Sequence, residues 1–443
     1  VELFAEAGVG GSLCRAGEKL CDKQYLFVSG AYNLAGTLSF MFQLLSGLLF
    51  DRLGGRFISK AGAGLLALGF IVLQVPLLGA QHGYDAQTSG LLSLAILIAD
   101  AGASLNSISL MTMVWHFADL QTVVSAITMA TYNATAVLPI LLSAIMQWTG
   151  LQLSSVMLGW LILVAVAWIC CHYTVPTPEE YRAKAQQVLG MPLPPANGRS
   201  VCRVLKDACA VLGKSLRVHL ITIVSCAAGI TITLLYSTLL GDYGQMLFGN
   251  KAAGKDLARM YNVWTCIGGA VVNPLAAYLG DKMGGGTKVL VVCMVLCSIT
   301  NSIFIAGQTW PAQMAACASS SFYFCIYGTV VIKYALAYAG PARIGTFQGL
   351  LTACTSLVML PLGGLVYAWI ASLPSSNPSH LTVPLQGTSL FATAALLAWS
   401  SYVLLAGLPQ VPVSLAGDDE GMSQPFGCSS SADGVRASQV LGA

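Results

Sequence analysis

Residues 47–56 read Gly47-Leu48-Leu49-Phe50-Asp51-Arg52-Leu53-Gly54-Gly55-Arg56, and residues 280–288 read Gly280-Asp281-Lys282-Met283-Gly284-Gly285-Gly286-Thr287-Lys288. Each stretch closes a long apolar run. Each orders an acid, a base, an apolar residue, a glycine and a further base. The glycines permit a tight turn. The carboxylate suits the positive N-terminus of a neighbouring helix, and the bases suit lipid headgroups or partner carboxylates. One copy is what any short polar turn between membrane helices favours. Two copies at equivalent places mark an internal repeat.

The apolar runs around these turns set the class. Of 443 residues, 56% are hydrophobic and 9% charged, with a mean hydropathy of +0.73. A soluble domain carries about 25% charged residues, so charge here is too scarce to solvate a surface of this size in water. A membrane-crossing helix needs about 20 mostly apolar residues. Eleven stretches qualify: Tyr25–Phe50, Phe57–Leu78, Leu91–Phe117, Val123–Trp148, Leu151–Val175, Val218–Tyr243, Ala258–Gly280, Val289–Ile305, Ala315–Gly340, Phe347–Leu373 and Leu390–Leu408. The bilayer core offers no water to a free backbone, so each is expected to be helical. The expected fold class is an all-α polytopic membrane protein.

Basic residues orient it. Arg52, Arg56, Lys60, the connection 176–217, Lys282, Lys288 and Arg343 fall on one side; the other has Arg15, Lys19 and Lys23 before the first span and Lys251, Lys255 and Arg259 in one loop, while its connections Gln81–Gly90 and Pro374–Thr388 hold no base. The positive-inside rule makes the first side cytosolic. The expected organisation is an extracellular segment 1–24, a first membrane half 25–175, a cytosolic central loop 176–217, a second half 218–408 and a disordered Gly/Ser/Asp-rich tail 409–443. Within the loop, Val201, Leu205, Ala208 and Leu212 recur at helical spacing opposite Arg203, Lys206 and Asp207. That reads as an amphipathic helix on the inner leaflet or as a solvated linker helix. The net charge of +3 is not gathered into a face, so nucleic-acid binding has no footprint. Cys14 and Cys21 can bridge if their region faces an oxidising compartment. No signal peptide is visible, and Val1 in place of Met reads as a processed or incomplete chain.

The duplicated turn resembles the signature of the major facilitator superfamily, G-x-x-x-D-R-x-G-x-R, matched by Gly47, Asp51, Arg52, Gly54 and Arg56. The second copy is degenerate, with Asp281, Lys282 and Gly284 in the equivalent places. The resemblance implies two pseudo-symmetric six-helix halves. It makes the first span here the family's second helix and places the family's first helix upstream of Val1, leaving eleven spans. Within the superfamily the chain looks most like solute carrier family 43 and its apicomplexan amino-acid-transporter relatives, on Cys21-x-x-Gln24, Asn273-Pro274-Leu275 and Phe347-Gln348-Gly349-Leu350. That similarity implies an amino acid as the small-molecule substrate, moved by facilitated diffusion, with the plasma membrane favoured over an organelle membrane.

Facilitators bind solute near the midplane between their halves. Asp100 lies inside an apolar span, where a carboxylate costs several kcal/mol unless it is paired or wet. It suits a substrate amine or a coupling proton, or a structural bond to nearby hydroxyls. Asn106, Tyr132 and Asn133 offer polar groups at midplane depth, as substrate contacts or as glue between helices. Tyr323 and Tyr327, one turn apart, share a face. With Tyr236 they read as an aromatic wall for an apolar solute, or as core. Lys333, near the cytosolic end, reads as a snorkelling side chain. Gly249–Lys255 imitates a phosphate loop, but Asp256 stands where Ser or Thr is required. The five histidines never fall at ligand spacing, so neither metal, cofactor nor enzymatic chemistry is expected. Two rivals remain: a proton-coupled symporter using Asp100, and a transport-dead sensor or scaffold.

Overall fold

The computed structural model describes residues 2–15, 21–134, 137–190, 192–193, 201–373 and 379–408, with residues 2, 22, 25, 26, 33, 37, 132, 134, 371 and 406 described by their backbone alone. Among these residues there are helices and turns and no strands. The longer helices are α1 (Asp22–Leu53), α2 (Gly55–Gln81), α3 (Leu91–Ser109), α4 (Gln121–Ala134), α5 (Leu138–Thr149), α6 (Leu153–Thr174), α7 (Pro178–Leu189), α8 (Val201–Lys214), α9 (Leu216–Phe248), α10 (Lys251–Ile267), α11 (Asn273–Lys282), α12 (Gly286–Phe304), α13 (Trp310–Ala339), α14 (Ile344–Ser372) and α15 (Thr382–Ala406). A π-turn, Gly268–Val272, joins α10 to α11 in one continuous span.

Among the described residues, ten spans are long and apolar enough to cross a membrane, against the eleven expected. The difference lies in Val123–Trp148, where residues 135–136 lie outside the described ones and the helices on either side, α4 and α5, have 14 and 12 residues. Each piece is shorter than a full crossing, and Pro139 sits in the first turn of α5, where its missing N–H is tolerated. Elsewhere helices outrun their apolar runs. α10 begins at Lys251, because Asn250 caps it by accepting from the Ala252 N–H at 2.8 Å. α15 begins at Thr382 rather than Leu390, with Pro384 inside its first turn. Hydropathy marks where a helix enters lipid, while capping marks where it starts.

Small residues let the helices close on one another. A Cβ on Gly62 would lie 2.7 Å from the Gly102 carbonyl oxygen, and one on Gly69 would lie 2.6 Å from the Ala99 nitrogen, so α2 and α3 pack backbone to backbone. Such contacts replace the hydrophobic drive that lipid does not supply. At the outer end, Gln24 donates to the carbonyls of Ala5 and Val9. Asp85 accepts from the N–H groups of Gly10 and Ser12, each at 2.8 Å. Cys14 and Cys21 are bonded to each other.

The expected amphipathic helix is α8; of its expected face Ala208 is buried, Leu205 and Leu212 are half-buried and Val201 is exposed. Val204, Ala208 and Val211 are buried within the protein, and Asp207 pairs with Arg343 at 3.4 Å. The tail 409–443 lies outside the described residues.

Candidate functional site

The two signature turns sit at the ends of α1 and α11, on the side of the basic connections, and each carboxylate reaches across to the other half. Asp51 accepts from the N–H of Gly345 at 3.0 Å and of Thr346 at 2.7 Å, in the first turn of α14. Asp281 accepts from the Val123 N–H at 3.2 Å, in the first turn of α4. The first turn of a helix leaves its N–H groups unbonded and carries its positive dipole end. A carboxylate is the complementary cap. The internal repeat thus becomes two reciprocal latches, each half capping a helix of the other.

The remaining signature residues explain their own positions. Gly47 is where α1 and α14 touch: a Cβ there would stand 1.9 Å from the Gly345 carbonyl oxygen. Gly54 has φ +80° and lies under Pro178 of α7, 2.4 Å from where its Cβ would be. Arg56 donates through Nε to the Val175 carbonyl at 2.7 Å and meets Glu180 at 3.7 Å. Arg52 and Lys282 are exposed, and Lys282 lies over the Tyr278 ring. Gly284 supplies a positive φ in open space.

The central loop braces the same closure. Thr177 and Glu180 form a reciprocal cap at the start of α7. The backbone N–H of Thr177 holds the Glu180 carboxyl below its usual range, with Arg56 adding to the effect. Its contribution is therefore present above the ordinary carboxylate pKa and fades as pH falls through the depressed value. One turn on, the buried Tyr181 packs edge-on against Phe50 and donates to the Pro341 carbonyl at 3.0 Å, just before α14.

Lys333 is not a snorkelling residue. It is 4% exposed and donates to Gln121 Oε1 at 3.3 Å across the halves, with Asp281 in electrostatic reach. A cation among apolar residues is visible in the sequence. That it faces the partner half rather than the headgroups is not.

Above the latches the halves stay in contact to the midplane. Asn273 of α11 donates to the Cys325 carbonyl and to Thr329 Oγ1, and the Ala126 carbonyl lies 3.5 Å from the same nitrogen. Met129 packs where a Cβ on Gly328 would be. A small apolar cluster joins α1 of the first half to α9, α13 and α14 of the second, built from Ala227, Ile230 and Met359 with the half-buried Phe40, Leu234, Tyr327 and Val358. Phe40, Leu234, Val358 and Met359 carry no distinguishing mark in the sequence, since each is one more apolar residue in an apolar run.

Of the expected solute contacts, the structure brings together Tyr323 and Tyr327, whose rings stack at 6.3 Å and 20°. Tyr323 rests against Gly229 of α9. Tyr236 does not join them. It is fully buried in a separate cluster nearer the opposite end, beside Tyr243 and Tyr261, and donates to Gln313 Oε1 at 3.0 Å. Asn106 accepts from Ser59 Oγ at 3.4 Å, joining α2 to α3. Asp100 is half-buried and lies in electrostatic reach of Tyr32; among the described residues no hydrogen bond or ion pair is found at its carboxylate. Asn133 is 2% exposed against Gly269, with neither amide atom bonded among the described residues. An orphaned buried amide costs about 1–3 kcal/mol. The Tyr132 side chain lies outside the described residues. Among those residues no group of three His, Cys, Asp or Glu is placed to hold a metal.

A helical membrane protein built from repeated halves, with matched carboxylate latches at one end, has the architecture of a secondary transporter. The chain belongs to the Major Facilitator Superfamily, whose sequence profile matches residues 23–363. Its fold is similar to that of the human organic anion transporter MFSD10 (TETRAN), with a TM-score of 0.54 at 13% identity over 90% of this chain and 89% of that one. It is also similar to the E. coli fucose:proton symporter FucP, which in the outward conformation gives a TM-score of 0.55 at 13% identity over 90% and 96%. The nucleoside transporter NupG gives 0.50 at 15% identity over 85% and 91%. At these identities the likeness is one of fold. No curated protein matches the sequence. The chain is a multi-pass membrane transporter of small solutes.

Proposed function

We propose that this transporter is an amino-acid facilitator of the plasma membrane working by alternating access, and that the structure is its cytosol-closed state. The observation carrying the mechanism is the pair of latches. Asp51 and Asp281 join the halves at the basic end, which the positive-inside rule assigns to the cytosol. The likeness to FucP in its outward conformation supports the same assignment. Solute enters from outside and settles near the midplane, on the apolar cluster containing Tyr327. The halves then rock and the latches part. The amino-acid choice rests on the resemblance of Cys21-x-x-Gln24, Asn273-Pro274-Leu275 and Phe347–Leu350 to solute carrier family 43. Uptake of a radiolabelled amino-acid panel at two pH values tests it. Saturable, pH-insensitive uptake is expected, and no uptake by protein at the cell surface would refute the substrate.

The second reading is a proton-coupled carrier, favoured by one observation: the half-buried Asp100 lacks a bonded partner among the described residues. Asp100→Asn separates the two. A coupled carrier loses pH-driven accumulation and keeps exchange. A facilitator shows no pH-driven accumulation to lose, and the variant alters affinity alone.

Lys333 should behave as part of the Asp281 latch. Lys333→Met removes the cation in electrostatic reach of Asp281 and the donor to Gln121, and losing a hydrogen bond from a charged group costs about 1.5–3 kcal/mol. Adding Asp281→Asn is expected to restore part of the lost thermal stability and uptake, with a coupling of about 1 kcal/mol or more. Strict additivity in that double-mutant cycle would remove Lys333 from the latch.

A further inference from the structure

The contact between the halves at the midplane contains two buried asparagines with opposite fates. Asn273, 0% exposed, spends its amide on Cys325 and Thr329, and is the glue its position suggests. Asn133, on the facing helix α4, is as buried, yet both its Nδ2 and Oδ1 are unbonded among the described residues. What it faces is unusual in its own right. Gly269 belongs to the π-turn Gly268–Val272, and a Cβ there would stand 2.4 Å from the Asn133 Cβ. π-turns are rare and concentrate at functional sites. Here one widens the helix just where the unbonded amide presses on it.

A group left unbonded in one conformation destabilises that conformation relative to any other in which it is bonded. The partner must arrive when α4 and the π-turn separate. Asn133 lies one helical turn from Met129, which packs on Gly328 beside Tyr327 of the cluster where a solute would rest. Its planar amide offers a donor and an acceptor side by side.

We propose that Asn133 is the residue that reads the polar head of the solute, bonding a head group that carries an acceptor and a donor together, and that its unbonded state in the closed gate biases the transporter toward opening. This rests on the transporter binding solute between its halves. Nδ2 donates to an acceptor such as a carboxylate oxygen, and Oδ1 accepts from a donor such as an ammonium.

The test uses the full chain with Asn133→Leu, which keeps the shape and deletes the amide, and Asn133→Ala, which adds no bulk against Gly269. The probes are radiolabelled L-leucine uptake and the melting temperature of the solute-free protein. Removing an orphaned amide should raise the melting temperature by about 1–2 °C. Removing a solute contact should raise the KM for leucine at least about tenfold. In competition with leucine on the wild type, 4-methylpentanoate and 3-methylbutylamine, each lacking half the head, should bind weakly. A fall in melting temperature in both variants would make Asn133 structural and overturn the proposal. So would a leucine KM within twofold of the wild type. If the wild type moves no leucine, the amino-acid reading fails by itself. The melting temperature then decides Asn133: a rise upholds an amide kept for another head group, and a fall overturns it.

Discussion

Gly47→Val is expected to abolish transport. The Cβ it adds would lie 1.9 Å from the Gly345 carbonyl oxygen and 2.3 Å from its carbon. Both are backbone atoms, so no rotamer change clears them. The helices α1 and α14 must move apart by an ångström or more, and the Asp51 bonds to Gly345 and Thr346 go with them. Overpacking alone costs about 1–3 kcal/mol, and the lost bonds to a charged group add about 1.5–3 kcal/mol each. A closed state destabilised by about 4 kcal/mol loses roughly a thousandfold in population. Uptake per molecule at the surface should fall below detection, with Gly47→Ala already impaired because the clash begins at Cβ. Gly349 is the control within the same contact, since its Cβ would meet the Gln43 carbonyl at 2.3 Å. Uptake by Gly47→Val within twofold of the wild type would refute the close crossing of these helices.

Asp51→Ala is the second large effect, and it differs in kind. The fold keeps its packing, but two N–H groups at the start of α14 lose their acceptor. The expected loss is about 3 kcal/mol or more from the closed state, seen as uptake reduced at least about a hundredfold. Asp51→Asn, with one acceptor oxygen left, should fall between. Asp281→Asn should cost less, because the bond from Val123 to Asp281 is longer, at 3.2 Å, than the bonds of 3.0 and 2.7 Å to Asp51. Equal effects at the two copies would contradict the asymmetry seen here.

The signature shows how far the chain could be read in advance. Gly47, Asp51, Gly54 and Arg56 and their degenerate copy identified the superfamily and a two-half plan, because turn glycines and capping acids are local requirements written in adjacent residues. What Asp51 caps was not written there. Gly345 and Thr346 lie almost three hundred residues away, and an ordinary Gly-Thr pair bears no mark of the bond it will make. Lys333 shows the same gap from the other side. Its span was legible, and its depth fitted snorkelling. Whether a side chain at that depth faces headgroups or a partner helix depends on rotation about the helix axis, which an all-round apolar sequence leaves undetermined.

The solute site was legible only as a list of polar and aromatic residues at midplane depth. The structure divides that list by bonding. Tyr236 and Asn106 are held by Gln313 and Ser59, while Asn133 is held by nothing among the described residues. By itself the sequence determined that the chain crosses a membrane in helices, where most of them run, and that the two halves repeat. Those follow from hydropathy and spacing along the chain, which are properties of neighbours in sequence. Only the tertiary structure decided which helices touch, which end is shut and which buried amide waits unbonded. Those depend on contacts between segments far apart in the chain, whose side-chain directions become defined only once the helices have packed.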